Sequence, residues 1–328
     1  MGRYVRPLLR ALATRADITL TLLVRDPRRA ADYRAIVGTG VDVAPLSSAR
    51  ISRAYDRVWY PWNGVRFAAR APAVVTINDD FAFAYPARGR VARWREQQPI
   101  RRAARRAAHL LTISHWSRDA LRKRFDLAAD RISVIPLAPD AFFSPGSETS
   151  PFGEPFVLAV GTGDERKNIA FLIDVFARAF PLRDVRLVLV GAPSPAITAR
   201  LEGTRLPTAI LTQVGDDALR RLYRTAATVA IPSLAEGFGL VAAEAQACGA
   251  AVIAANTSAL PEAVGDAGLL IDPRDADAWR DGLLQLVHDP QARARYTGPA
   301  AARWASVRRD AMLDALLAAL ERCGDDGA

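Results

Sequence analysis

FVLAVGTGDERKNIAFLIDVF, residues 156–176, runs from an unbroken apolar segment through a glycine-containing turn with two adjacent cations into a helical pattern. A strand that is apolar on both faces is what a parallel sheet covered by helices requires. Strand, turn and helix in that order form the repeating unit of doubly wound α/β folds. In such sheets ligands sit at the carboxyl ends of the strands. Gly161, Thr162 and Gly163 leave backbone amides uncovered there, and the following helix start adds partial positive charge. Arg166 and Lys167 add two full charges, a combination suited to a diphosphate. The P-loop pattern is absent, and so is the Gly-x-Gly-x-x-Gly of dinucleotide folds. A solvated basic turn is the alternative reading of this segment alone.

The same alternation extends in both directions. Downstream, strands are expected at 185–190, 228–231 and 250–254, and helices at 168–180, 216–226, 239–248, 275–288, 290–303 and 308–321. Upstream, strands are expected at 17–24, 56–60, 73–77, 109–113 and 132–135, with helices at 3–14, 88–108 and 117–125. The Pro-, Ser- and Gly-rich stretch 141–155 reads as a linker. It would join an N-terminal domain, 1–140, to a C-terminal one, 156–305, with the last helix (306–328) packing back on the first domain. Both domains are expected to be Rossmann-like. The first is expected to lack its opening strand, because Met1 falls where a glycine-rich turn and its helix would already have begun.

The 328 residues carry a formal charge of +9, and half of them are hydrophobic. That balance is ordinary for a globular chain, and no apolar run is long enough to span a bilayer. Two cysteines, Cys248 and Cys323, build no disulfide framework, which suits a reducing cytoplasm. The start of the chain lacks a secretion-signal layout, since arginines interrupt its apolar positions. The positive charge invites anionic partners. Lysine is scarce: Lys123 and Lys167 are the two present.

A second constellation lies in SLAEGFGLVAAEAQACGAAVIA, 233–254. Gly237 and Gly239 permit a tight turn into a helix whose first amides are free. Glu236 precedes that helix and Glu244 lies about one turn inside it. Carboxylates accept well from sugar and ribose hydroxyls. The plainer alternative makes Glu236 a loop residue and Glu244 a partner of the helix dipole.

Taken in order, GTG with RKN at 166–168, LVLVG at 187–191, QVGDDALRRLYRTA at 213–226, EGFGLVAAEAQACG at 236–249 and ALPEAVGDAGLLIDP at 259–273 resemble the donor-binding domain of retaining glycosyltransferase family 4. The Glu-x7-Glu spacing is met by Glu236 and Glu244. The resemblance implies an α/β GT-B fold of two facing Rossmann-like domains. It also implies transfer of a hexose from a UDP- or GDP-sugar to an acceptor hydroxyl, with retention, in polysaccharide, glycolipid or glycoconjugate synthesis. Arg166 and Lys167 would neutralise the departing diphosphate, and Glu236 would bind hexose hydroxyls. Amides at Phe238, Gly239 and Leu240 would lie near sugar and phosphate, Glu244 would take ribose hydroxyls, and Val214 to Leu219 would border the base. No cofactor and no metal is expected; Asp216-Asp217 reads as a helix start.

The first half matches more loosely. VVTINDDFAF, 74–83, resembles the family segment that carries a His-Asp pair, but Asn78 stands where His is usual. Asparagine bonds a hydroxyl yet exchanges no proton near neutral pH. Asp79 and Ser114 join it as expected neighbours of the ligand. The helix RVARWREQQPIRRAARRAA, 90–108, offers contact with an acidic acceptor or the inner face of the plasma membrane, or else is a solvated face whose apolar positions are core. Two rival classes are a nucleotide-sugar binder without turnover and a basic nucleic-acid binder. The second lacks any nucleic-acid-reading motif, so no nucleic-acid partner is expected.

Overall fold

The computed structural model describes residues 3–48, 55–87, 89–307 and 310–323. Contacts divide the chain into two units. One comprises Met1–Leu137 with Arg308–Ala328, and the other Ala138–Val307. Both are α/β units with parallel sheets, the class expected from the alternating pattern.

In the first unit α1 (Val5–Ala13) precedes β1 (Thr21–Val24), α2 (Ala30–Val37) and β2 (Asp42–Pro45). Next come β3 (Val58–Tyr60), β4 (Ala73–Thr76), the short α3 (Phe81–Ala84) and α4 (Arg90–Arg106). β5 (His109–Thr112), α5 (His115–Phe125) and β6 (Ile132–Val134) complete it. Strands β3-β4-β5-β6 form one parallel sheet, while β1 and β2 pair separately. Val74, Val75, Leu110 and Leu111 in the middle strands are fully buried, as a sheet covered on both faces requires.

In the second unit β7 (Phe156–Val160), α6 (Ile169–Ala179), β8 (Arg186–Val190), α7 (Pro195–Thr204) and β9 (Thr208–Leu211) are followed by α8 (Asp216–Thr225) and β10 (Thr228–Ile231). Then come α9 (Leu240–Ala247), β11 (Val252–Ala255), α10 (Leu260–Val264), β12 (Leu269–Ile271), α11 (Ala276–His288) and α12 (Pro290–Ser306). The six strands lie in the order β12-β11-β10-β7-β8-β9, all parallel. The chain therefore winds outward from β7 to one edge and returns beside it with β10. The gap between the carboxyl ends of β7 and β10 is the topological switch point, where open α/β sheets take their ligands.

Two helices and two strands escape the local reading: α2, β2, α7 and β9. β2 and β9 are partly exposed edge strands, so neither presents the unbroken apolar run that marks β7. The stretch 141–155, expected as a linker, belongs to the second unit. There Arg224 of α8 donates to the Ser144 carbonyl at 2.7 Å and pairs with Glu148 at 2.6 Å. The final helix, α13 (Ala311–Arg322), belongs to the first unit, where it packs on β5 and α1 with Met312, Leu316 and Ala319 buried.

Candidate functional site

The loop after β7 is shaped by its glycine and its aspartate. Gly161 has φ +97 and donates to the Val190 carbonyl at 2.8 Å. A Cβ there would stand 3.1 Å from Lys167 Cε, so a side chain would be strained and would crowd the lysine stem. Asp164 Oδ1 accepts from the Arg166 amide at 2.9 Å and opens a single 3-10 turn, Glu165–Lys167. The Arg166 guanidinium folds back on the same carboxylate through Nε and Nη2. Burial acts to raise the Asp164 pKa, but the bonds and charge of Arg166 prevail and hold it below its ordinary value. Thr162 is buried at 2 % exposure, and its Oγ1 has no partner among the described residues.

The loop after β10 meets this turn across the switch point. The Leu234 amide donates to the Arg166 carbonyl at 2.7 Å, tying the two loops together. Lys167 Nζ donates to Glu236 Oε1 at 2.6 Å, and Ser233 Oγ donates to the same oxygen at 2.7 Å. The side chains of Lys167 and Glu236 are 20 % and 14 % exposed, so water screens this pair less than a surface bridge. The Glu236 amide donates to Ser258 Oγ at 2.8 Å, which fixes the carboxylate's own backbone. Glu236 Oε2 has no bond among the described residues, leaving it open to a ligand hydroxyl.

Gly239, at φ +103, turns the chain into α9; a Cβ on it would lie 3.0 Å from Leu260 Cδ2 and 3.1 Å from Ala263 Cβ. No side chain caps α9. The amides of its first turn thus present donors and the positive end of the helix dipole. Phe238 is buried edge-on against Trp304, with ring centres 6.5 Å apart, and Leu240 is half-buried at the first helical position.

Of the residues expected in one site, Gly161, Lys167 and Glu236 come together. Arg166 shares their loop, but its guanidinium is turned to Asp164. Glu244 is buried on α9, where Tyr223 Oη donates to its Oε2 at 3.2 Å. Val214 lines a cavity of about 600 Å³ between β9 and α8, whereas Leu219 is packed in the core.

The three residues of the first unit each hold local structure. Asn78 accepts from Tyr4 Oη at 3.0 Å and donates its amide to Asn63 Oδ1 at 2.9 Å. Asp79 accepts from the Phe81 amide at 3.0 Å, and Ser114 caps α5 by accepting from the Ser117 amide at 3.0 Å. Neighbouring Asp80 is bound by Arg124 at 2.6 Å. Among the described residues no three His, Cys, Asp or Glu side chains gather in the manner of metal ligands.

Local reading missed Asp164, Ser233, Tyr223 and Ser258, the residues that hold the others in place. Asp164 carries a legible signal, an aspartate two residues before the amide it caps. Ser258 and Tyr223 carry none, because their partners are 22 and 21 residues away along the chain.

Comparison with known proteins adds a second line. The family model of group 1 glycosyl transferases matches residues 154–289, and that of Glycosyltransferase Family 4 matches residues 1–141. O-antigen chain mannosyltransferase B of Escherichia coli is 34% identical over 235 residues, spanning 66% of this chain and 61% of that protein. D-inositol 3-phosphate glycosyltransferase of Corynebacterium glutamicum (strain R) is 36% identical over 199 residues, spanning 53% of this chain and 48% of that protein. The chain thus matches between about half and three fifths of the length of these curated relatives. Among solved structures, Anabaena HepE in complex with UDP and glucose superposes with a TM-score of 0.75 at 19% identity, over 98% of this chain and 96% of that one.

Proposed function

Because the chain belongs to glycosyltransferase family 4, we propose that it transfers a hexose from a UDP- or GDP-sugar to an acceptor hydroxyl, in the synthesis of a polysaccharide or other glycoconjugate. The observation that carries this reading is the Lys167–Glu236 pair at the switch point, beside the uncapped start of α9. Support for a nucleoside diphosphate donor also comes from the UDP and glucose bound to HepE and from the sugar-transfer activities named for the relatives.

In this reading the donor diphosphate takes the Lys167 ammonium and the free amides of the Gly161 loop and of α9. As the glycosidic bond breaks, negative charge grows on the leaving diphosphate. Donors already fixed in place stabilise that charge without reorganising. Glu236 keeps Lys167 aimed through Oε1 and offers Oε2 to the hexose hydroxyls. Arg166 contributes as a second cation of the same loop once the ligand competes with Asp164 for its guanidinium. Thr162, with an unbonded hydroxyl, supplies one more hydrogen bond to the phosphates. Val214 lies at the base end of the site, and Glu244 holds the ribose side through its place on α9. Transfer proceeds with retention and without a metal, the phosphate assisting deprotonation of the acceptor.

A thermal-shift panel of UDP, GDP and ADP and their sugars tests the donor assignment. A nucleoside diphosphate at 100 times its Kd should stabilise the second unit by about 2.7 kcal/mol. Lys167→Ala should remove most of that response and lower transfer by about 10²–10³-fold, the cost of losing a preorganised donor to developing charge. Glu236→Ala should weaken transfer more than binding of the bare nucleotide. A panel without response, or full transfer by Lys167→Ala, would refute the assignment. Nucleotide binding without transfer to any acceptor would instead make this a nucleotide-sugar-binding member of the family.

A further inference from the structure

Helix α4 leaves a face that the donor site does not use. It holds seven arginines and one glutamate. Pro99, Ile100, Ala103 and Ala104 form its buried stripe. At 100° per residue the opposite stripe runs Val91, Trp94, Gln98, Arg101 and Arg105, with Arg90, Arg95, Arg102 and Arg106 on its flanks. Val91 is 64 % exposed and Trp94 57 %. The interleaved apolar residues expected to be core are therefore divided: those after Pro99 pack inward, and the two in the first turns stand out in solvent. Tyr85, 45 % exposed, lies in the segment leading into the helix.

The charge on this face is uncompensated. Arginines elsewhere pair with carboxylates, as Arg124 does with Asp80 and Arg224 with Glu148. Among the described residues none of the seven on α4 does so. The helix's own Glu96 accepts from the Ala87 amide at 3.2 Å. Pro99 lacks an N–H and gives its carbonyl to the Val65 amide at 3.0 Å, so the middle of the helix is pinned to the body of the unit while both ends reach outward.

We propose that this outward face of α4 docks on an anionic lipid bilayer. Guanidinium groups would meet the phosphates of the headgroups, each basic residue near such a surface contributing favourably. Trp94, Val91 and Tyr85 would enter the boundary between headgroups and acyl chains, where an aromatic ring with a polar atom is best placed. A polyanion such as duplex DNA would satisfy the arginines, but it offers nothing to an aliphatic side chain protruding beside them. Val91 therefore favours the bilayer. The face lies wholly in the first unit, so this inference stands or falls apart from the donor assignment.

Vesicle flotation of the full chain tests it. Vesicles of phosphatidylcholine mixed with phosphatidylglycerol should carry the protein, and phosphatidylcholine alone should not. Arg102→Gln/Arg105→Gln/Arg106→Gln should lower binding by about tenfold or more. Val91→Ala/Trp94→Ala should also weaken it and should abolish a blue shift of tryptophan emission on binding. Both variants alter exposed positions, so their melting temperatures should match the parent. Raising the salt should release the parent as the Debye length shortens. The proposal is overturned if mixed vesicles do not bind the chain. It is equally overturned if the Val91/Trp94 variant binds as the parent does while duplex DNA binds as tightly as vesicles, since the face would then be a general polyanion site.

Discussion

A valine at position 162 would have nearly the shape of Thr162 without its hydroxyl. Because the threonine hydroxyl is buried and makes no bond among the described residues, its removal leaves no partner stranded. Thr162→Val should therefore keep or raise the melting temperature while reducing the shift produced by a nucleoside diphosphate. Equal loss of both would mean that Thr162 is only a packing residue. Cys248 gives an expectation of the opposite kind. Burial pushes its thiol up to about 12, so almost no thiolate exists at neutral pH. Alkylation of Cys248 by iodoacetamide should need unfolding, and rapid labelling of the native chain would contradict its buried place.

At the scale of single elements, β5 and α5 carry two testable roles. Ser114→Ala removes the cap of α5 and should cost about 1 kcal/mol by urea denaturation. The nucleotide response should be unchanged, since the hydroxyl serves the Ser117 amide. His109, the first residue of β5, contacts Ser133 Oγ at 2.8 Å. Burial, and then the nearby cations Arg322 and Arg131, push its pKa down to about 4. In the unfolded chain the same imidazole takes its proton near 6.5. Above that pH both states hold it neutral and it contributes nothing to pH dependence. Below it the unfolded state binds the proton first, so stability falls with pH until the folded state also titrates near 4. His109→Gln should flatten the slope of stability against pH in this window, measured by denaturant midpoints; an unaltered slope would assign the acid sensitivity to other groups.

Across the whole molecule, the first unit is completed by a helix from the far end of the chain. Met312, Leu316 and Ala319 of α13 fill its core, and Arg57 Nε donates to the Leu320 carbonyl at 3.2 Å. A chain ending at Val307 should lose cooperative unfolding of the first unit, read by calorimetry, while the second unit keeps its nucleotide-dependent transition. A single unchanged transition would show that α13 is dispensable.

Local reading reached the alternation of strands and helices, the parallel sheets, the loop of Gly161 and the ordered motifs of the donor half. Each of these rests on periodicity, turn chemistry or spacing within a few residues, which a sequence carries directly. Partnership across distance was out of its reach. Lys167 and Glu236 lie 69 positions apart and meet because β10 returns beside β7. The order of strands in a sheet is set by the packing of the whole unit, and no local pattern encodes it. For the same reason the turning of Arg166 to Asp164, the burial of Glu244 against Tyr223, the bond between Tyr4 and Asn78 and the outward stance of Val91 and Trp94 became visible only once the chain had folded. Each depends on which surface happens to cover a side chain, and that surface is supplied by residues remote in the sequence.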